Sequence, residues 1–330
     1  MKYLKNFNEN VNRSEIDAIC EKYNIKNYII NDDGTIDVDG DVYLYKQKLK
    51  VLPLKFRNVS REFDCDSNNL TSLEGSPQNV GGYFSCSYNQ LTSLVGCPQS
   101  IGGNFYCRSN QLTSLEGGPQ NVGGHFSCND NQLTSLVGCP QSIGGNFYCS
   151  SNQLTSLEGG PQSIGSNFYC NNNNQLTTLE GAPQRVDGNF ECKNNKLISL
   201  EGGPQHVGGN FQCIGNNLTS LEGAPKRVGG IFWCDSNNLK NIDYLSKYYK
   251  ELSIFNNPIS KITDLFTSSN EFGRITNRED KDLIMDFIDR EIIQQDKLLV
   301  NRLVEFLDDI GKPKSREELI ELLKNNYTIR

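Results

Sequence analysis

The sequence predicts a curved repeat solenoid: parallel strands stacked turn upon turn, with extended or 3₁₀ returns and a helical cap at each end. Three observations predict it. A stride of 21 residues, broken once by a stride of 22, carries cysteine from Cys65 through Cys86, Cys107, Cys128, Cys149, Cys170, Cys192 and Cys213 to Cys234. Phenylalanine keeps the same stride two residues earlier, from Phe63 to Phe232, and leucine columns follow from Leu49 to Leu239 and from Leu52 to Leu221. Each turn then enters a loop with Gly and usually Pro. Repetition at a fixed period of this length marks units that bury their apolar faces only by stacking.

Residues 1–37 form the expected N-terminal cap. Ser14 is positioned to cap a helix that carries Ile16, Ile19, Cys20 and Tyr23 on one face. The solenoid proper spans 38–260, about ten turns. Its first turn is degenerate, "VDGDVYLYKQKLKVL", with Val42, Leu44, Leu49 and Leu52 in register.

In the regular turns F-x-C has the period of a strand, so Phe and Cys share one face. Stacked turns bring such strands about 4.8 Å apart and make a parallel sheet over the core. Reduced Cys behaves there as a small hydrophobe, so twelve cysteines without any CxxC pair predict buried thiols rather than bridges or zinc. Cys97 and Cys139, which precede Pro in loops, are the expected exceptions. An Asn column, Asn68, Asn89, Asn110, Asn131, Asn152, Asn174, Asn195, Asn216 and Asn237, can satisfy backbone groups where each strand ends. Gly pairs such as Gly81-Gly82 permit the bend into the next strand, and Pro stiffens the return. The longer turn "CNNNNQL" predicts a bulge near Asn172.

Residues 261–330 form the expected C-terminal helical cap, with a separate effector module as the alternative. Traces of the repeat persist at Asn257 and Ile259. Leu283, Ile284, Phe287 and Ile288 have helical spacing, as do Leu299, Leu303, Phe306, Leu307 and Ile310. Ser315 and Glu318 form a capping-box signature before Leu319, Leu322 and Leu323.

The turn F-x-C-x-x-N-x-L-x-x-L resembles the leucine-rich repeat, with Phe and Cys in its first two leucine places. The short period and the "NQLTSL" wording are most similar to bacterial and viral, bacteriophage-like versions. The resemblance covers residues 38–260. It implies a non-enzymatic scaffold for protein–protein interaction, here a viral protein that engages or sequesters a host protein. Some bacterial proteins of similar wording carry a ligase domain with a catalytic Cys, but no Cys follows Cys234.

Composition narrows the classes. The chain is 36% hydrophobic with a formal net charge of -7. No leader-like run opens it and no stretch approaches a membrane span, so a cytoplasmic protein without a membrane partner is expected, in the host cell if the protein is viral. The acidic balance argues against nucleic acid. No phosphate-binding loop occurs, "DVDGDV" lacks the carboxylates of a calcium loop, and the two histidines fall on different parts of the repeat. No enzyme, metal or cofactor is expected.

Function is then expected on strand residues that alternate with Phe and Cys, the concave face of a curved solenoid. Tyr, Trp and Arg dominate binding hot spots. The candidates are Tyr83, Tyr88, Tyr106, Arg108, His125, Tyr148, Tyr169, Lys193 and Trp233. Trp233 and its neighbour Ile231 are equally compatible with cover by the C-terminal helices. Three ligand classes fit such a face: a protein, a small aromatic or sugar-like molecule, or single-stranded nucleic acid stacked on tyrosines. Asp64, Asp66, Asp130 and Glu191 oppose the third.

Overall fold

A computed structural model describes residues 12–268, 274–294 and 297–330. The chain divides into two compact units, one of Met1–Leu133 with Val137–Gly145 and one of Thr134–Leu136 with Asn146–Arg330. Both are built from the parallel-strand turns that the stride predicts.

The first unit opens with helix α1, Arg13–Lys22. Asn12, not Ser14, is its N-cap: Asn12 Oδ1 accepts from Glu15 N–H at 3.3 Å, and Ser14 Oγ donates to the same oxygen at 2.8 Å. Both residue types cap well, and the helix begins two residues earlier than the apolar spacing alone indicates. An antiparallel hairpin, Tyr28–Ile30 with Ile36–Val38, follows, and its second strand pairs in parallel with Phe56–Val59. The expected first turn is present, since Val42–Tyr43 pairs in parallel with Phe63–Asp64. The Phe/Cys sheet of this unit continues through Phe84–Ser85, Phe105–Tyr106 and Phe126–Ser127.

The returns are extended and form a second parallel sheet. In the first unit it runs through Asn79–Val80, Ser100–Ile101, Asn121–Val122 and Ser142–Ile143. The second residue of each return strand is buried, which adds a Val/Ile column to the core. The core therefore lies between two sheets. Ladder Phe and Cys side chains are fully buried there, as are the ladder leucines from Leu70 onward, and Phe63 and Phe84 stack with centroids 5.4 Å apart. Each such side chain contributes roughly 1.5–3 kcal/mol.

All twelve thiols are free and buried. Cys97 and Cys139 are no exception, at 4% and 7% exposure. Their loops fold back onto the core, where the Cys97 N–H donates to Leu94 O at 2.9 Å. Burial holds both thiols well above the ordinary value. Ladder cysteines also donate to the next turn, as in Cys65 Sγ to Ser85 O at 3.2 Å.

The Asn column is a buried hydrogen-bond ladder. Asn131 Nδ2 donates to Cys107 O and Cys128 O, both at 3.1 Å, and its Oδ1 accepts from Leu112 N–H at 3.1 Å. The long turn corrects the register. Asn173, not Asn174, is the ladder residue: it is fully buried and donates to Cys149 O at 3.2 Å and Cys170 O at 3.0 Å. The inserted residue follows Asn173, where the Leu176 N–H closes a tight turn onto Asn173 O at 2.9 Å. Asn172 keeps the left-handed conformation that Ser109 and Ser151 adopt in shorter turns, so no bulge forms there.

The Gly pairs also have a different cause from the one expected. Neither member of Gly81-Gly82 has positive φ. A Cβ on Gly81 would lie 2.1 Å from Ser60 O of the preceding turn, so the pair permits contact between turns rather than the bend. The left-handed bend falls to glycines such as Gly96, φ +91°, in the loop before Pro.

In the second unit the Phe/Cys sheet runs from Phe147–Tyr148 through Phe168–Tyr169, Phe190–Glu191 and Phe211–Gln212 to Ile231–Trp233. Glu251–Ser253 adds a further parallel strand, and Arg274–Ile275 closes the edge antiparallel. A short helix α2, Ser260–Thr263, precedes α3, Arg278–Asp289, α4, Val300–Asp309, and α5, Arg316–Leu323. The Ser315–Glu318 capping box is present. Phe266, Phe287 and Phe306 form one aromatic cluster with centroids 5.0–5.8 Å apart. Tyr327 hydroxyl donates to Lys240 O at 2.9 Å, which ties the C-terminal segment to the last regular turn.

Candidate functional site

The column between Phe and Cys points away from the core, yet its members are not freely exposed. Asp64, Tyr106, Tyr148, Tyr169, Glu191 and Trp233 are half-buried, while Ser85, Ser127 and Gln212 are buried. Neighbouring strands are so close that long side chains cover short ones.

In the first unit Tyr83 and Tyr106 form a tilted pair with centroids 6.4 Å apart. Tyr83 hydroxyl donates to Asp64 Oδ2 at 3.4 Å, and Tyr43 hydroxyl donates to Glu62 at 2.5 Å. Asp66 accepts from Ser85 Oγ and from Ser87 N–H, each at 2.5 Å. Burial nevertheless pushes its carboxyl up to about 6, and burial also raises Asp64. Tyr88 lies in the turn after the strand, with φ +53°, and the Arg108 guanidinium sits 5.0 Å from its ring centroid. His125 donates its backbone N–H to Asn104 Oδ1 at 2.7 Å, and its ring covers Gly145, where a Cβ would fall 2.3 Å from Nδ1.

In the second unit Tyr148 and Tyr169 stack face to face, 4.9 Å apart and 4° from parallel. Asn146 Nδ2 donates to Tyr148 hydroxyl at 2.7 Å. Burial, then the Glu191 carboxylate, raises the Tyr169 phenol. Lys193 Nζ pairs with Glu191 at 2.7 Å, and Asn171 and Gln212 donate to the same carboxylate at 3.2 and 3.3 Å. Lys193 is therefore engaged within the face. Trp233 lies under the Arg274 guanidinium, 5.2 Å from its centroid. Arg274 of the closing strand thus covers Trp233, and the Glu191 and Gln212 strands lie between it and the tyrosine pair.

Where the column just before Phe carries Asn, that Asn is structural. Asn146 Oδ1 accepts from Asn167 N–H at 3.0 Å, Asn167 from Asn189 at 2.6 Å, Asn189 from Asn210 at 2.8 Å, and Asn210 from Ile231 at 2.9 Å. Where the preceding turn carries Asn, the glycine at this place makes room for its amide: a Cβ on Gly209 would meet Asn189 Oδ1 at 2.3 Å. A second Asn column at the same stride was visible in the sequence and signals bonding between turns, not variability for a ligand.

Among the described residues no group of three or more His, Cys, Asp or Glu could hold a metal, and no helix is long and apolar enough to cross a membrane. His125 lies on the Phe/Cys sheet and His206 on the return sheet.

A short parallel strand, a buried Asn ladder and two buried leucines per turn make this a leucine-rich-repeat-type solenoid. No family model matches the chain, and no curated protein matches it. Among solved structures it is similar to YopM, described as a leucine-rich effector protein from Yersinia pestis, at 19% identity over 67% of each chain and a TM-score of 0.43.

Proposed function

We propose that this chain is a non-enzymatic scaffold that binds a protein partner through the outward side chains of its Phe/Cys sheet. The observation that carries the reading is the stacked Tyr148–Tyr169 pair. Two large, rigid side chains stand preorganised on a strand face whose fold requires neither of them, since Ser, Asp, Glu and Gln occupy the same column elsewhere. Such aromatics supply much contact area for little entropy loss. The Tyr83–Tyr106 pair and the Arg108–Tyr88 contact extend this chemistry in the first unit. The small-ligand reading is less well supported, because rings 4.9 Å apart are already in contact and leave no slot for an inserted aromatic. Twelve buried, free thiols support a reducing compartment, hence the cytoplasm, and the repeat wording supports a viral protein directed at a host protein.

The test is a quantitative pull-down from the native host. Replacing Tyr148 and Tyr169 with Ala should weaken capture of a stoichiometric partner about a thousandfold, at roughly 2 kcal/mol per truncated anchor. Gln141→Ala on the return side should leave it unchanged. Retention of the partner by the tyrosine variant overturns the proposal.

A further inference from the structure

The return sheet of the second unit carries a feature that the tyrosine face does not explain. Arg185, His206 and Arg227 are in direct register on three consecutive parallel strands. All three are exposed. Strand spacing puts the outer two backbones about 10 Å apart. Lys226 precedes Arg227 and donates its N–H to Gln205 O at 2.9 Å, and it too is exposed. Arg227 guanidinium lies 5.9 Å from the ring centroid of the exposed Tyr248, which is itself preceded by exposed Lys247.

The chain provides its own control for this column. The equivalent residues of the other turns are Asn58, Asn79, Ser100, Asn121, Ser142 and Ser163, and the residue before this column is Arg57 in the first turn, Gln from Gln78 to Gln205, and Lys226 in the last. Small neutral side chains therefore meet every demand of the fold at this register. The long Arg185 and Arg227 side chains, two strands apart, are additions that the fold does not need, and each carries a full positive charge. Asp187 offsets part of this for Arg185, at 2.7 Å, but that pair is itself solvent-exposed.

We propose that this row is a second docking surface, which takes an acidic segment of a protein partner in extended conformation. Carboxylates at alternate positions of an extended chain are about 7 Å apart, within reach of two long arginines on strands about 10 Å apart. The Arg fork favours planar carboxylates, and Tyr248 holds Arg227 in place without consuming its charge. Nucleic acid suits the row less well. Exposed Glu180, Glu201 and Glu222 sit in the turns just before the same strands, so the surface favours spaced carboxylates that meet the arginines over a strand charged at every residue.

The test uses the full chain and a fluorescent peptide of four Glu alternating with Ser, with oligothymidylate of equal charge as the competitor class. A variant carrying Arg185→Ser, His206→Asn and Arg227→Ser installs residues that the column already tolerates, so it should fold. The expected result is salt-sensitive peptide binding that falls about tenfold in the variant, as the exposed Arg185 and Arg227 ion pairs each contribute about threefold. Equal binding by the two proteins overturns the proposal, as does peptide binding no tighter than that of a Gly/Ser peptide. Tighter binding of oligothymidylate, lost in the same variant, overturns it in favour of nucleic acid.

Discussion

Replacing Asn173 with Ala and, separately, Asn174 with Ala discriminates the register of the long turn by its energetics. Asn173 is fully buried, and its Oδ1 accepts from Asn152 N–H at 3.2 Å and Leu154 N–H at 3.4 Å. Its Nδ2 donates to Cys149 O and Cys170 O. Asn173→Ala leaves two buried N–H groups without that acceptor. Each orphaned buried group costs about 1–3 kcal/mol, and the long geometry places both toward the low end, so the sum is about 3 kcal/mol. The carbonyls lose less, because each ladder carbonyl also meets the amide of another turn, as Cys170 O meets Asn195 Nδ2 at 3.1 Å. Asn174 is exposed, and its replacement should cost less than about 0.5 kcal/mol. Urea unfolding, followed by far-UV circular dichroism and by the fluorescence of Trp233, measures both. Equal destabilisation by the two variants, or a larger effect at Asn174, refutes the assigned register.

Three further outcomes follow from the packing. Native-state maleimide labelling should modify none of the ladder cysteines and neither Cys97 nor Cys139 until denaturant is added, since all are buried with thiols held protonated; mass spectrometry reads the sites. Gly102→Ala should destabilise by more than about 3 kcal/mol in thermal unfolding, because its Cβ would lie 2.2 Å from Gly81 O and neither backbone can retreat without moving its turn. The Asp66 carboxyl is raised from 3.8 to about 6, so its protonated form favours the folded state: the contribution of Asp66 to stability is fully present below about pH 4 and is lost as pH rises through about 6. Asp66→Asn, which keeps an acceptor for Ser87 N–H, should flatten that decline in a pH series of denaturation midpoints.

The sequence by itself determined the architecture. A stride repeated over nine turns leaves one solution, because each turn's Phe, Cys and Leu are buried only by the identical set above and below. Periodicity is blind to a column whose residue type is shared with exposed positions, which is why it could not place the ladder among four consecutive asparagines, Asn171 to Asn174. Counting forward from Cys170 gives Asn173 and counting back from Leu176 gives Asn174, and the buried hydrogen bonds of Asn173 decide between the two. The candidate site was legible in part. Tyr148 and Tyr169 could be placed side by side from the stride, but their stacking, the Arg274 cover over Trp233 and the Glu191 tether on Lys193 depend on side-chain directions set by neighbouring turns. The same holds for the thiols of Cys97 and Cys139, whose loops look exposed in sequence and fold onto the core because the leucines beside them must be covered. His206 shows the limit most plainly: in sequence it is a lone histidine in a loop, and the return sheet alone, formed by hydrogen bonds between residues 21 apart, sets it between two arginines.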